Sequence, residues 1–179
     1  MTSSSASLRR LARLLAGLGA LALSPRPALA SDSLPAAQQA GIYRKIFTYD
    51  PALEGLPSLR VLVVHGRVSS AQAREVAGAF EEAGVLAAPS DVEAATVAEP
   101  GSVLYVLADV PSGPLRELAV AQRLLTISGD AESVEQGRVS VALRRRPDGS
   151  AEILVSLSRL RREGHELSAR LLKLATVLP

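Results

Sequence analysis

Apolar positions follow two alternating rhythms along the chain. Leu59 to Val64 (LRVLVV) and Ser102 to Leu107 (SVLYVL) are nearly continuous apolar runs, which predicts strands covered on both faces. Leu124 to Ile127 (LLTI) is a further run of that kind. Helical spacing lies between them. Ala37, Ala40, Tyr43 and Phe47, with Ile42 and Ile46 alongside, predict a first helix from Ser33 to Thr48. Ser69 and Gln72 form an S-x-x-Q capping box opening a helix through Ala73, Val76, Ala77 and Phe80, ended by Gly84. A short strand near Val85 to Ala87 and a brief helix after Asp91 come next. Ser112-Gly113-Pro114 then starts a helix running to about Ala121.

The rhythm changes towards the C-terminus. Val139, Val141 and Leu143 alternate with Ser140, Ala142 and Arg144, and Ile153, Val155 and Leu157 repeat the alternation. Arg146-Pro147-Asp148-Gly149 turns the chain between them, so an antiparallel hairpin is expected at one edge of a sheet. Leu167, Leu171, Leu174 and Leu178 then recur at helical spacing and predict a closing helix. Strand–helix alternation followed by a hairpin predicts an α/β fold. Its expected form is a layered, mostly parallel sheet flanked by helices (Rossmann-like), with the hairpin and closing helix at the C-terminal end.

The first thirty residues do not belong to that pattern. Arg9, Arg10 and Arg13 precede an apolar run from Leu14 to Leu23, and Ala28-Leu29-Ala30 supplies an A-x-A cut site. This predicts a signal peptide over residues 1–30, cleaved after Ala30, and a periplasmic or secreted single domain over 31–179. The run is too short to span a bilayer, so the cleaved protein is not expected to be membrane-inserted. The whole chain holds 20 basic and 18 acidic residues. Arg9, Arg10, Arg13 and Arg26 leave with the leader, so the mature chain carries 16 against 18, a net charge of −2. That argues against nucleic acid as a partner. Zero cysteines exclude disulfides, so the core must be aliphatic packing.

Catalytic motifs are scarce. Two histidines and no cysteine give no closed zinc set, and no G-x-S-x-G, P-loop or dinucleotide glycine motif occurs after residue 30. No metal, no cofactor and no catalytic residue is therefore expected, and the chain reads as a non-enzyme. Two places remain. His65, Arg67 and Ser69 follow the first strand where open α/β sheets bind ligands, which makes either a small anion pocket or a solvated connector. Arg159, Leu160, Arg161, Arg162 and His165 form the other cluster, read as a partner contact with Leu160 as an apolar anchor. Arg144, Arg145 and Arg146 read as a charged strand end that discourages edge pairing.

The order of the C-terminal segments carries a resemblance. Leu124 to Ser128, Gly137 before a strand, a strand ending near Leu157, then Arg161-Arg162-Glu163-Gly164 and Leu167-Ser168-Ala169-Arg170-Leu171-Leu172-Lys173-Leu174-Ala175 resemble the YfiR (HmsC) family. Tyr43-Arg44-Lys45-Ile46-Phe47 and the strand at Leu59 to Val64 sit where that family has its first helix and strand. The family's glycine pair is reduced here to Gln136-Gly137, and its asparagine appears as Ser156. The resemblance implies a periplasmic, usually dimeric α/β regulator that binds the periplasmic part of an inner-membrane signalling protein. In the family's known cases that target is a diguanylate cyclase held inactive, which links such regulators to cyclic-di-GMP and biofilm control. The competing expectation is a small-ligand sensor near His65 and Arg67, feeding a histidine kinase or another signalling system.

Overall fold

The apolar runs become the centre of a seven-stranded sheet. The computed structural model describes residues 33–96, 98–99 and 101–178. The expected leader, residues 1–30, lies outside the described residues. The strands are β1 (Arg60–Val64), β2 (Leu86–Ser90), β3 (Ser102–Val106), β4 (Leu125–Ser128), β5 (Val141–Arg145), β6 (Ala151–Ser156) and β7 (Thr176–Leu178). The helices are α1 (Ala36–Phe47), α2 (Ser70–Glu82), α3 (Val92–Ala95), α4 (Ser112–Gln122), α5 (Ala131–Glu135), α6 (Leu157–Arg162) and α7 (Ala169–Leu172).

The spatial order is β2-β1-β3-β4-β5-β6-β7. β2, β1, β3, β4 and β5 are mutually parallel, β6 runs antiparallel to β5, and β7 runs parallel to β6. The protein is thus an α/β fold with a mostly parallel sheet and flanking helices. Every residue of β3 and β4 is buried, as strands covered on both faces require. Scarce aromatics are pooled in one place. Tyr43 and Phe47 of α1, Phe80 of α2 and Tyr105 of β3 form one cluster, with ring centroids 5.9 to 6.5 Å apart. Edge and offset contacts of that kind add about 0.5–1.5 kcal/mol per pair beyond burial.

The C-terminal end departs from expectation in two ways. The helix predicted over Leu167 to Leu178 stops after four residues, and Thr176–Leu178 pairs with Leu154–Ser156 instead. The hairpin β5–β6 is consequently not at the sheet edge; β7 is. Arg144 guards no edge. It bridges Glu152 at 2.9 Å and Glu135 at 3.1 Å, while Arg146 lies 3.8 Å from Glu152. Among the described residues, no helix is long and apolar enough to cross a membrane.

Candidate functional site

A sheet ordered 2-1-3 has its switch point between β1 and β3, beyond their carboxyl ends, where open α/β sheets leave a ligand crevice. His65, Arg67 and Ser69 do lie there. Arg67 is exposed, while His65 and Ser69 are half-buried. The capping box at Ser69 does not form, because its hydroxyl donates to Asp109 at 2.5 Å instead. The Gly66 N–H also donates to Asp109, at 3.1 Å. Burial, the largest single influence, is outweighed by these donors together with the backbone at Asp109 and Val68, which hold the Asp109 carboxyl below its ordinary value. The chain thus fills its own anion position. Gly66 is required for this, since a Cβ there would overlap the Asp109 side chain. His65 turns Nδ1 to the Gly66 carbonyl at 2.8 Å.

Beside this loop lies a crevice of about 960 Å³ over the carboxyl ends of β3, β4 and β5. Its floor is polar and buried. Tyr105 Oη donates to Gln39 Oε1 at 2.5 Å, and Gln39 Nε2 donates to the Leu34 carbonyl at 2.6 Å. Burial raises the Tyr105 phenol, with the nearby Asp130 charge adding to the effect against one opposing backbone hydrogen bond, so it stays a protonated donor. Gly129 admits Gln39 and Tyr105 so closely that a Cβ would overlap both. Asp130, Glu132, Arg144 and Arg145 line the rim. Sequence reasoning missed this crevice. Its only local signal was Gly129, placed directly after a buried strand.

The C-terminal cluster separates into an inner and an outer set. Leu160 is 1% exposed and His165 5%, so neither presents a surface anchor. Their positions follow from the short α6: Leu160 packs inward, and the turn at Gly164 (φ 77°) brings His165 under the end of α4. His165 Nδ1 meets Asp50 Oδ2 at 2.6 Å, and Nε2 meets the Arg123 carbonyl at 3.0 Å. Both partners are acceptors, so both ring nitrogens must donate, which is the imidazolium form. Burial alone would lower its pKa, but the Asp50 hydrogen bond and charge, joined by the Arg123 carbonyl, raise it above 6.5. Arg123 adopts φ 53°, which turns its carbonyl to this task at the end of α4.

Arg159 is also interior. Its Nε lies 3.0 Å from Glu163 Oε1, and Nη1 donates to the Gly137 carbonyl at 3.2 Å. Glu163 is wholly buried and accepts from Thr126 N (3.1 Å), Thr126 Oγ1 (2.7 Å) and Ser140 Oγ. The carboxylate therefore stands in for missing ladder partners where β4 meets β5. Burial raises its pKa despite Arg159 and these donors. Only Arg161 and Arg162 of the expected cluster face solvent.

No family model and no curated protein matches the chain. Among solved structures, it is similar to a conserved domain protein from Vibrio cholerae O1 biovar El Tor, with a TM-score of 0.55 and 13% identity. The match covers 80% of this chain and 60% of that one. At that identity the likeness establishes the α/β fold alone.

Proposed function

We propose that the protein is a periplasmic regulatory binding module. On this reading it represses an inner-membrane signalling enzyme, such as a diguanylate cyclase, through protein–protein contact. The observation that carries the reading is the outer edge of β7. No described strand pairs with that edge, and beside it Leu174 is 70% and Val177 43% exposed. Unpaired main-chain groups flanked by apolar side chains are what an added strand or apolar partner surface uses. The ionisable groups of the C-terminal segment support the same reading. Glu163 is committed to an internal pair with Arg159, and His165 to one with Asp50, so neither Glu163 nor His165 is offered to a substrate. Repression then requires tighter binding to the target's inactive state, by about 10⁴-fold for a nearly complete shift.

Deletion of the gene is expected to raise cellular cyclic-di-GMP. Wild-type protein restores the level, while a Leu174→Lys/Val177→Lys double variant, exported in equal amount, does not. Unchanged cyclic-di-GMP on deletion would dismiss a cyclase as the target. The crevice over the carboxyl ends of β3 to β5 favours a second reading, a small-ligand sensor coupled to a histidine kinase or similar system.

A further inference from the structure

A second cleft, of about 400 Å³, lies between α4, α5 and the C-terminal segment. Arg116 of α4, Arg159 and Arg162 of α6 all line it, with Ser156, Ser158, Val134 and Leu178. Two of the guanidinium groups meet at one atom. Arg116 Nη2 and Arg159 Nη1 both donate to the Gly137 carbonyl, at 3.3 and 3.2 Å. A carbonyl oxygen accepts both but neutralises neither. Glu135 also lines the cleft, yet it is bound to Arg144 at 3.1 Å. Glu163, the counter-charge of Arg159, is shared with Thr126 and Ser140.

One donor is left over. Arg159 is 7% exposed, and its Nη2 is buried without a hydrogen-bond partner among the described residues. An unsatisfied buried donor is costly, more so when charged. Burial, joined by the smaller repulsions of Arg116 and Arg162, outweighs Glu163 and lowers the Arg159 pKa. Three guanidinium groups line one cleft, and one of them keeps a spare donor, an arrangement that favours an acceptor.

We propose that this cleft binds a small oxyanion-headed molecule, clamped by Arg116, Arg159 and Arg162. Guanidinium forks match phosphate and carboxylate oxygens in pairs. The Ser156 and Ser158 hydroxyls, 3.2 Å apart, supply further donors. Val134 and Leu178 give the wall an apolar side for a short carbon chain. The inference does not depend on the membrane partner.

The test uses the mature protein with inorganic phosphate, glycerol 3-phosphate and succinate, against sodium chloride at matched ionic strength. Thermal shift and titration calorimetry are expected to show stabilisation by at least one of the three anions. A response to phosphate and its ester assigns a phosphate head; a response to succinate alone assigns a carboxylate head. An Arg116→Gln/Arg162→Gln variant changes two exposed side chains, and its fold is checked by circular dichroism. It is expected to bind at least tenfold more weakly. Absence of any shift beyond chloride, or undiminished binding by the folded double variant, overturns the proposal.

Discussion

The two ends of the sheet use polar residues in opposite ways. At the carboxyl ends of β1 and β3, Asp109 is exposed and gathers its donors in reach of water. Beneath the C-terminal segment, Glu163 and Arg159, and His165 and Asp50, are paired out of water's reach. The first arrangement shapes a loop; the second ties distant parts of the chain together. Asp50 and His165 are 115 residues apart, and Thr126 and Glu163 are 37 apart. Depth therefore decides which polar groups matter to stability, because a charge stranded in low dielectric cannot be rescued by solvent.

The contrast is sharpest at Glu163. Glu163→Ala strands a buried guanidinium and leaves the Thr126 N–H and Ser140 hydroxyl without their acceptor. The expected loss in urea denaturation is about 3–5 kcal/mol. An Arg159→Met/Glu163→Ala double variant is expected to recover part of that loss, since the uncompensated charge is gone. A single-variant loss below about 1 kcal/mol would mean that water reaches this pair, and the distinction between the two ends would fail.

Much of the parallel half was legible in the chain, and the reason is local. Each central strand is a buried run whose identity does not depend on its neighbours, and Gly84 (φ 82°) ends α2 where a residue of left-handed backbone is needed. The C-terminal end was less legible because two readings fit the same residues. Leu167, Leu171, Leu174 and Leu178 satisfy a helix, yet Thr176-Val177-Leu178, with two β-branched residues, also suits a strand beside the free edge of β6. Main-chain pairing with Leu154–Ser156 decided the matter, leaving Leu174 uncovered. The site suffered similarly. Arg159, Leu160 and His165 read as surface in a basic segment, and nothing nearby announced that His165 would meet Asp50 or that Arg159 would join Glu163 and Thr126 in the interior. Ser69 promised a cap to Gln72, but its partner Asp109 lies 40 residues on.

The His165–Asp50 pair offers a pH handle on the buried end. The folded-state pKa of His165 lies above its ordinary 6.5. The pair's contribution is therefore complete below pH 6.5 and fades as pH rises through the folded value. Urea midpoints measured from pH 6 upward are expected to fall across that window in the wild type. In His165→Gln the fall is expected to be reduced, with lower stability at pH 6. An equally steep decline in the variant would place the titrating group elsewhere.

The smallest effect is expected at the open end. Asp109→Asn keeps an oxygen that can accept from Ser69 and from the Gly66 N–H, and it removes only an exposed charge. Exposed charge interactions contribute about 0–1 kcal/mol, so the denaturation midpoint is expected to move little. Asp109→Ala is more informative, because it removes the internal acceptor altogether and leaves the Gly66 N–H and Ser69 hydroxyl facing solvent beside Arg67. Those groups can then hydrogen-bond water, so even this variant is expected to lose no more than about 1 kcal/mol. Its loop is, however, the one place where the anion site anticipated at His65, Arg67 and Ser69 would become vacant. Stabilisation by phosphate of Asp109→Ala built on the Arg116→Gln/Arg162→Gln background, beyond that of the background itself, would show that the loop's own carboxylate excludes anions in the wild type. If Asp109→Ala instead proved as damaging as Glu163→Ala, exposure would not be what separates the two ends.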